Sequence, residues 1–261
     1  MRAPVAKAVA LAVALVLVLA APAGAYRNPT PGKGVVLQIP GMHLAKVRRN
    51  LVYRPGLRLD VYRPRNATGR LPAVLFAHGR TGEASPKDWG QYVGWGQLAA
   101  SSGLAGVTFN HTDDPADVAA AIRYVRKHAA QLGIDGRRLC VAGYSAGVYP
   151  AMLTALKETG GRLRCAVAYY GPLDVELEQL SPRTYLRSGS LPVLVAKAGV
   201  GDLAINRSIG AFVAKARKLG APVELVVHAK GRHGFDVNTP GARTQAIMRR
   251  TLAFLRQHLR D

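Results

Sequence analysis

Short apolar runs alternate with stretches of helical periodicity from residue 46 onward. The runs LPAVLFA, LAGVTF, RLCVAGY and LPVLVA have the length and composition of strands that are buried on both faces. Between them, the stretch from Asp117 to Gly133 repeats its apolar residues with the period of a helix. This alternation is typical of parallel strands joined by crossover helices. The sequence therefore predicts an α/β fold, with a mostly parallel central sheet of about eight strands and helices on both faces.

The beginning of the chain has the pattern of a secretory signal peptide. Arg2 and Lys7 supply a positive start, residues 8–21 are apolar, and Ala23 to Ala25 provide the small residues of a cleavage site. The apolar run is shorter than the roughly 20 residues of a membrane span. We therefore expect a signal peptide over 1–25, cleavage near Ala25, secretion to the periplasm or the exterior, and no transmembrane anchor.

The residues after this leader are sufficient for one large domain. They number 236 (261 minus 25), which is enough to bury a substantial core. A composition of 49% hydrophobic and 20% charged residues is that of a globular protein. We divide them into an N-terminal extension over 26–45 and a single domain over 46–261.

Positive charge is in large excess, with a formal net charge of +21 from 36 Lys and Arg and 15 Asp and Glu residues. Such an excess attracts anionic surfaces and polymers. The basic residues are scattered along the sequence, without the aromatic-interleaved stripe that is typical of nucleic-acid binding. We expect no specific nucleic-acid partner, retain an anionic surface or polymer as a candidate partner, and favour a generally basic surface as the explanation.

Two cysteines, Cys140 and Cys165, lie in apolar runs that we predict to be buried strands. A disulfide would persist after secretion, but neighbouring parallel strands seldom offer disulfide geometry. A bridge and a pair of buried thiols therefore both stay open. Two cysteines without histidines at ligand spacing do not predict a zinc site.

The segment VAGYSAGVYP, residues 141–150, places a serine between two glycines where an apolar run meets a helical stretch. Gly143 and Gly147 permit a sharp strand-to-helix turn that lifts the hydroxyl of Ser145 above the sheet. The N–H of Ala146, at the start of the helix, would then face a developing oxyanion. A tight turn that merely needs small residues is the alternative, but the strand-turn-helix setting favours a nucleophile.

A serine nucleophile needs a base, and His233 is the candidate. It follows the last apolar run, in RHGFD, where a loop can carry an imidazole over the end of the sheet. His228 lies inside that run and is a weaker candidate. His111 follows a central run, and we assign it to the substrate pocket.

The imidazole in turn needs an acid, for which Asp202 is the candidate. Asp202 follows the run LPVLVAKAG and gives the chain order Ser, Asp, His that accompanies this kind of turn. Asp174 and Glu176, after the preceding run, are rivals. Asp236 is too close to His233 in sequence to hold the back of its ring easily.

The second oxyanion donor is expected where LPAVLFA ends in His78-Gly79-Arg80. Gly79 would let the backbone approach the substrate oxygen, and the N–H of Arg80 is the candidate donor. We expect His78 to support this loop through a hydrogen bond.

Aromatic residues supply the other candidate substrate contacts, which are Trp89 and Tyr144. Trp89, with Tyr92 and Trp95, could stack on a sugar or an aromatic acyl group, although packing on a helix face is the more common role of such residues.

Taken together, the motifs H-G, G-Y-S-A-G, G-x-x-D and R-H-G-F-D make the chain resemble the α/β-hydrolase superfamily over most of residues 46–260. Within it, LDVYRP, GIDGRRLCVAGYSAG and PVELVVHAKGRHGFD are similar to small secreted esterases of the feruloyl-esterase, dienelactone-hydrolase and hormone-sensitive-lipase-like groups. The segment HGRTG departs from the full glycine run of the last group, and there is no separate cap insertion.

The resemblance implies Ser145 as nucleophile, His233 as base and Asp202 as acid, with no metal and no organic cofactor. It implies a secreted serine hydrolase that cleaves carboxylic esters, either small molecules or polysaccharide-linked ones, through an acyl-enzyme. A peptidase or an acyltransferase could use the same residues. A non-catalytic protein that holds an anionic polymer on a hydrolase scaffold is the remaining alternative.

Overall fold

The computed structural model describes residues 32–79, 85–157 and 163–260. The predicted signal peptide and Arg80 lie outside these ranges. Within them, eight strands form one sheet: β1 (Lys46–Arg54), β2 (Leu57–Arg63), β3 (Leu71–Ala77), β4 (Ala105–Phe109), β5 (Ile134–Tyr144), β6 (Cys165–Tyr169), β7 (Val193–Ala198) and β8 (Val223–His228).

The strands lie in the order β1-β2-β4-β3-β5-β6-β7-β8. β2 pairs antiparallel with both of its neighbours, and every other pair is parallel. The predicted mostly parallel sheet of about eight strands is confirmed. Its parallel part, from β4 across to β8, brings the carboxyl ends of six strands to one edge.

The helices of the described ranges are α1 (Gly90–Ser101), α2 (Pro115–Lys127), α3 (Ala129–Leu132), α4 (Val148–Lys157), α5 (Leu203–Leu219), α6 (Phe235–Asn238) and α7 (Ala242–His258). Short 3-10 turns occupy Met42–Leu44, Pro86–Asp88, Ser145–Gly147, Glu178–Leu180 and Pro182–Tyr185. No helix among the described residues combines the length and the hydropathy that a membrane crossing requires.

Helices cover both faces of the sheet, as predicted. Along β3, Leu75 faces a core shared with α2, α4 and α5, whereas Val74 and Phe76 face a second core shared with α1 and α7. This alternation follows from the two-residue period of a strand. Because both faces are buried, β3 reads as a continuous apolar run in the sequence.

The described part of the predicted N-terminal extension packs on the second core. Val35 and Leu37 are buried there, and a Cβ atom on Gly94 would lie 2.7 Å from Cγ2 of Val35. The backbone N–H of Val36 donates to the carbonyl oxygen of Asp236 at 2.7 Å. The segment thus contributes to the same core as the sheet.

The two cysteines are register partners on β5 and β6. Both are fully buried free thiols, which decides between the two alternatives that the sequence left open. Burial, together with the neighbouring Cys165, raises the pKa of the Cys140 thiol well above its usual value.

Candidate active site

Ser145 occupies a sharp turn between β5 and α4. Its φ of 52° lies in the left-handed region, which is strained for a residue with a side chain and occurs mainly at functional sites. A Cβ atom on Gly147 would lie 2.1 Å from the carbonyl oxygen of His78, and one on Gly143 would lie 2.6 Å from that of Gly147. Both glycines of the motif are therefore required by close backbone contacts.

Two neighbouring strand ends press against the same turn. A Cβ atom on Gly171, which follows β6, would lie 2.0 Å from the carbonyl oxygen of Ser145. A Cβ atom on Gly79, which follows β3, would lie 2.9 Å from Cβ of Ser145. The serine is thereby held at the carboxyl edge of the sheet, where it remains half-buried.

The structure brings the candidate base to the candidate nucleophile. Nε2 of His233 lies 2.7 Å from Oγ of Ser145, although the residues are 88 positions apart. Burial lowers the pKa of His233 to about 4, and the charge of Asp202 partly opposes this shift. The imidazole is therefore neutral at neutral pH, so that its unprotonated nitrogen can accept the serine proton.

Asp202 lies at the end of the loop after β7 and caps the N-terminus of α5, where its Oδ1 accepts a hydrogen bond from the N–H of Ile205 at 3.0 Å. The rival Asp174 is engaged elsewhere. Its Oδ1 accepts from Oγ of Ser181 at 2.8 Å and pairs with Nε of Arg183 at 2.9 Å. Of these two carboxylates, Asp202 is the one whose charge acts on His233.

Two stacked histidines hold the end of β3. The rings of His78 and His111 lie 3.9 Å apart and are nearly parallel. Nδ1 of His78 lies 2.8 Å from the carbonyl oxygen of Gly79, and Nε2 of His111 lies 3.0 Å from that of His78. Nε2 of His78 accepts the N–H of His111 at 3.1 Å, which assigns the Nδ1–H tautomer to His78.

Both histidines of this pair are neutral. Burial lowers the pKa of His78 to about 3 and that of His111 to about 4. His78 therefore supports the strand end as expected. His111, which the sequence assigned to the substrate pocket, is buried and supports the same backbone.

The predicted oxyanion residues have different positions. Ala146 directly follows Ser145 and is half-buried. The N–H of Gly79 donates to the hydroxyl of Tyr92 at 2.7 Å and is therefore already engaged. The role of Gly79 is to let the backbone after β3 lie close to Ser145. Arg80 lies outside the described residues.

The aromatic candidates for substrate contacts lie in the interior. Trp89 is 7% exposed and Tyr144 is completely buried. The ring of Tyr144 lies 5.7 Å from that of Trp95 and 5.1 Å from that of Tyr169. The structure thus places Tyr144 in the core instead of the pocket, because alternation along β5 puts its side chain on the same face as Cys140 and Ala142, which packs in the second core.

Sequence reasoning missed a buried polar network beneath His233. The carboxylate of Asp236 is fully buried and accepts hydrogen bonds from Nε1 of Trp95 at 2.8 Å, from Nε2 of Gln91 at 2.9 Å and from the hydroxyl of Tyr170. The Tyr170 ring lies 4.8 Å from that of His233. Asp236 therefore joins the histidine loop to α1 and to the end of β6.

The aspartate of the RHGFD motif was the sequence signal for this network. However, its local sequence does not indicate that the carboxylate is buried, because the donors on Trp95, Gln91 and Tyr170 are distant in sequence. Among the described residues, no three His, Cys, Asp or Glu side chains converge as a metal site would require.

A mostly parallel sheet with helices on both faces and a strained serine at the turn after its central strand defines the α/β-hydrolase fold, and this chain has that fold. The chain belongs to the BD-FAE family, which matches residues 59–223.

Curated relatives are longer proteins. A probable isoprenylcysteine alpha-carbonyl methylesterase of Arabidopsis thaliana is 32% identical over 126 residues, which are 44% of this chain and 26% of that protein. The chain thus spans about a quarter of the length of this relative.

Solved structures show the same fold at low identity. A truncated carbohydrate esterase from gut microbiota has a TM-score of 0.71 at 16% identity and covers 82% of this chain and 96% of its own. A thermophilic esterase of Thermogutta terrifontis has a TM-score of 0.68 at 23% identity, over 84% of this chain and 94% of its own.

Proposed function

We propose that the protein is a serine hydrolase that cleaves carboxylic esters, with Ser145 as nucleophile, His233 as general base and Asp202 as the acid that orients it. The contact of 2.7 Å between Oγ of Ser145 and Nε2 of His233 carries this proposal, because a serine needs an adjacent neutral base to become nucleophilic. The names of the relatives and structural neighbours, all esterases, support the same class of reaction.

In the proposed reaction, Oγ of Ser145 attacks the ester carbonyl while its proton passes to Nε2 of His233. The N–H groups of Ala146 and Arg80 stabilise the oxyanion of the tetrahedral intermediate. The intermediate collapses when the imidazolium of His233 protonates the leaving alcohol. Water then loses a proton to His233 as it attacks the acyl-enzyme. When this second intermediate collapses, the imidazolium of His233 returns a proton to Oγ of Ser145, and the carboxylic acid leaves.

The substrate class is an ester of a small molecule or of a polysaccharide. One neighbour is named a carbohydrate esterase and one relative a methylesterase, which is consistent with short acyl or alcohol groups. Ser145 is half-buried at the carboxyl edge of the sheet, a position that supports a substrate approaching from this edge.

Hydrolysis of p-nitrophenyl acetate and butyrate, together with labelling by a fluorophosphonate probe, tests the proposal. The wild type should hydrolyse both esters and react with the probe, whereas Ser145→Ala should do neither. Ser188→Ala, at an exposed loop serine, is the matched control and should behave as the wild type. A wild-type protein that is neither active nor labelled would overturn the assignment.

We also propose that the protein is exported and cleaved after Ala25. Mass spectrometry of the protein from culture medium and periplasm should find Tyr26 at its N-terminus. Recovery of the protein from the cytosol alone, with residues 1–25 retained, would contradict this.

A further inference from the structure

Tyr170 lies directly after β6 in a backbone conformation that is unfavourable for a residue with a large side chain. Its φ of 40° lies in the left-handed region, where a bulky residue is an outlier and where strained residues cluster at functional sites. The N–H of Tyr170 donates to the carbonyl oxygen of Ala196, in β7, at 2.8 Å. The strained conformation is therefore held by the neighbouring strand.

This conformation interrupts the alternation of side chains along the strand. Consecutive residues of a strand point to opposite faces of a sheet, yet Tyr169 and Tyr170 both pack in the second core. The positive φ thus brings the ring of Tyr170 to the same side as that of Tyr169. There it contacts His233, with ring centroids 4.8 Å apart and ring planes inclined by 58°.

The ring of Tyr170 is fixed on its other sides. Its hydroxyl donates to Oδ1 of Asp236 and accepts a hydrogen bond from Nε2 of Gln91 at 2.8 Å. The ring of Phe235 packs against it edge to face, with centroids 5.3 Å apart. Only 2% of Tyr170 is exposed. Because these contacts come from α1 and from the histidine loop, the ring forms a rigid surface beside the imidazole.

The backbone after Tyr170 also contacts the turn that carries the serine. A Cβ atom on Gly171 would lie 2.0 Å from the carbonyl oxygen of Ser145 and 2.6 Å from Cβ of Val148. Two consecutive residues therefore contact both partners of the hydrogen bond between Ser145 and His233, one through its ring and the other through its backbone.

We propose that Tyr170 is a positioning residue for ester hydrolysis, whose ring keeps the imidazole of His233 within hydrogen-bonding distance of Oγ of Ser145. This inference rests on the proposed function, in which His233 takes the proton of the serine. Proton transfer needs the two atoms at about 2.6–3.2 Å, and a displacement of about 1 Å can lower a rate by about a hundredfold. The hydroxyl of Tyr170 acts indirectly, by fixing the ring.

Tyr170→Leu tests the proposal, because it removes the ring and keeps an apolar side chain. With p-nitrophenyl acetate, kcat should fall by about tenfold or more, whereas KM should change by less than about threefold, since a buried ring offers little surface to substrate. Labelling by the fluorophosphonate probe should slow by a similar factor, because it depends on the same base.

Two further variants separate positioning from a contribution to stability alone. Tyr170→Phe is the conservative variant, which keeps the ring, so that kcat should stay within about threefold of the wild type even if the melting temperature falls. Tyr169→Leu is the matched control, because Tyr169 is a fully buried tyrosine of the same core whose hydroxyl lies 2.7 Å from Oγ1 of Thr251. It should lower the melting temperature and leave kcat within about threefold.

Three results would overturn the inference. The first is a loss of less than about tenfold in kcat for Tyr170→Leu. The second is an equal loss in Tyr169→Leu, which would indicate a general effect of the core. The third is a loss of about tenfold or more in Tyr170→Phe, which would assign the effect to the hydroxyl. This variant lacks a single oxygen atom and therefore keeps the inference falsifiable if Tyr170→Leu does not fold.

Failure of this inference is distinguishable from failure of the proposed function. If only the role of Tyr170 is wrong, the wild type still hydrolyses the ester and reacts with the probe, and Ser145→Ala does neither. If the wild type itself is inactive and unlabelled, the proposed function fails, and the inference about Tyr170 fails with it.

Discussion

Two carboxylates compete for the role of the acid behind His233, and their surroundings differ. The charge of Asp202 raises the pKa of His233, whereas the carboxylate of Asp174 binds Ser181 and Arg183. A carboxylate that already pairs with an arginine is poorly placed to stabilise an imidazolium elsewhere. The proposed triad therefore depends on Asp202.

Asp202→Asn should lower kcat by roughly three to four orders of magnitude, because it removes the charge that stabilises the imidazolium. Asp174→Asn should leave kcat within about twofold of the wild type, as expected of a carboxylate outside the triad. Both are measured with p-nitrophenyl acetate, and circular dichroism checks the fold. If Asp174→Asn is the slower variant, the acid has been assigned to the wrong residue.

The burial of His233 predicts an unusual pH profile. Its pKa is lowered to about 4, so kcat/KM should stay constant as the pH falls from neutral and decline only near pH 4 as the imidazole becomes protonated. In Asp202→Asn the decline should move to lower pH, because the charge that favours the imidazolium is gone. If kcat/KM instead declined near the ordinary histidine pKa, about 6.5, this would show that burial does not disfavour the protonated form of His233.

At the scale of elements, the histidine loop depends on a buried carboxylate. Asp236 joins that loop to Trp95 and Gln91 of α1 and to Tyr170 beyond β6. Burial raises the pKa of Asp236, while the hydrogen bonds from Tyr170, Trp95 and Gln91 oppose the increase. Three separate elements are thus fixed around one side chain.

Asp236→Ala should lower the free energy of unfolding by about 3–5 kcal/mol, because it removes the acceptor of the buried donors on Trp95 and Tyr170 and one of the two acceptors of Gln91. It should also reduce kcat more than it raises KM, since His233 loses its support. Glu224→Ala, which breaks the surface ion pair with Arg250, should cost at most about 1 kcal/mol. Urea unfolding measures both variants, and equal losses would contradict the network.

The boundaries of the helices show where pattern-based prediction fails. Helix α5 begins at Leu203, in a first turn that is partly exposed and lacks the apolar spacing of the rest. Similarly, α2 begins at Pro115 after the cap Asp114, instead of at Asp117. The buried face of a helix can be predicted from the period of its apolar residues, whereas an exposed first turn cannot.

At the scale of the whole molecule, the sequence predicts the local motifs, whereas only the fold shows which residues lie next to them in space. The elbow at Ser145 and the class of fold, a mostly parallel sheet with helices on both faces, follow from local composition and alternation. The stacking of His78 on His111 does not, because it requires knowing that β3 and β4 are adjacent.

The segment before β1 also acts at this scale, because it covers the second core. Leu37 is completely buried, whereas Leu44 is 45% exposed. Leu37→Ala should therefore lower the free energy of unfolding by about 2–5 kcal/mol. Leu44→Ala should change it by at most about 0.5 kcal/mol. Equal and small effects in urea unfolding would show that the segment is not part of the core.

The strained backbone conformation of Ser145 lowers the stability of the fold at the residue that we propose as the nucleophile. Its φ of 52° costs a residue with a side chain about 1–3 kcal/mol, and glycine would adopt the same conformation with little strain. Selection for stability alone would therefore replace Ser145, the proposed nucleophile, with glycine. On the proposed function, a serine persists at this turn only while the proposed reaction is worth more to the organism than the lost stability.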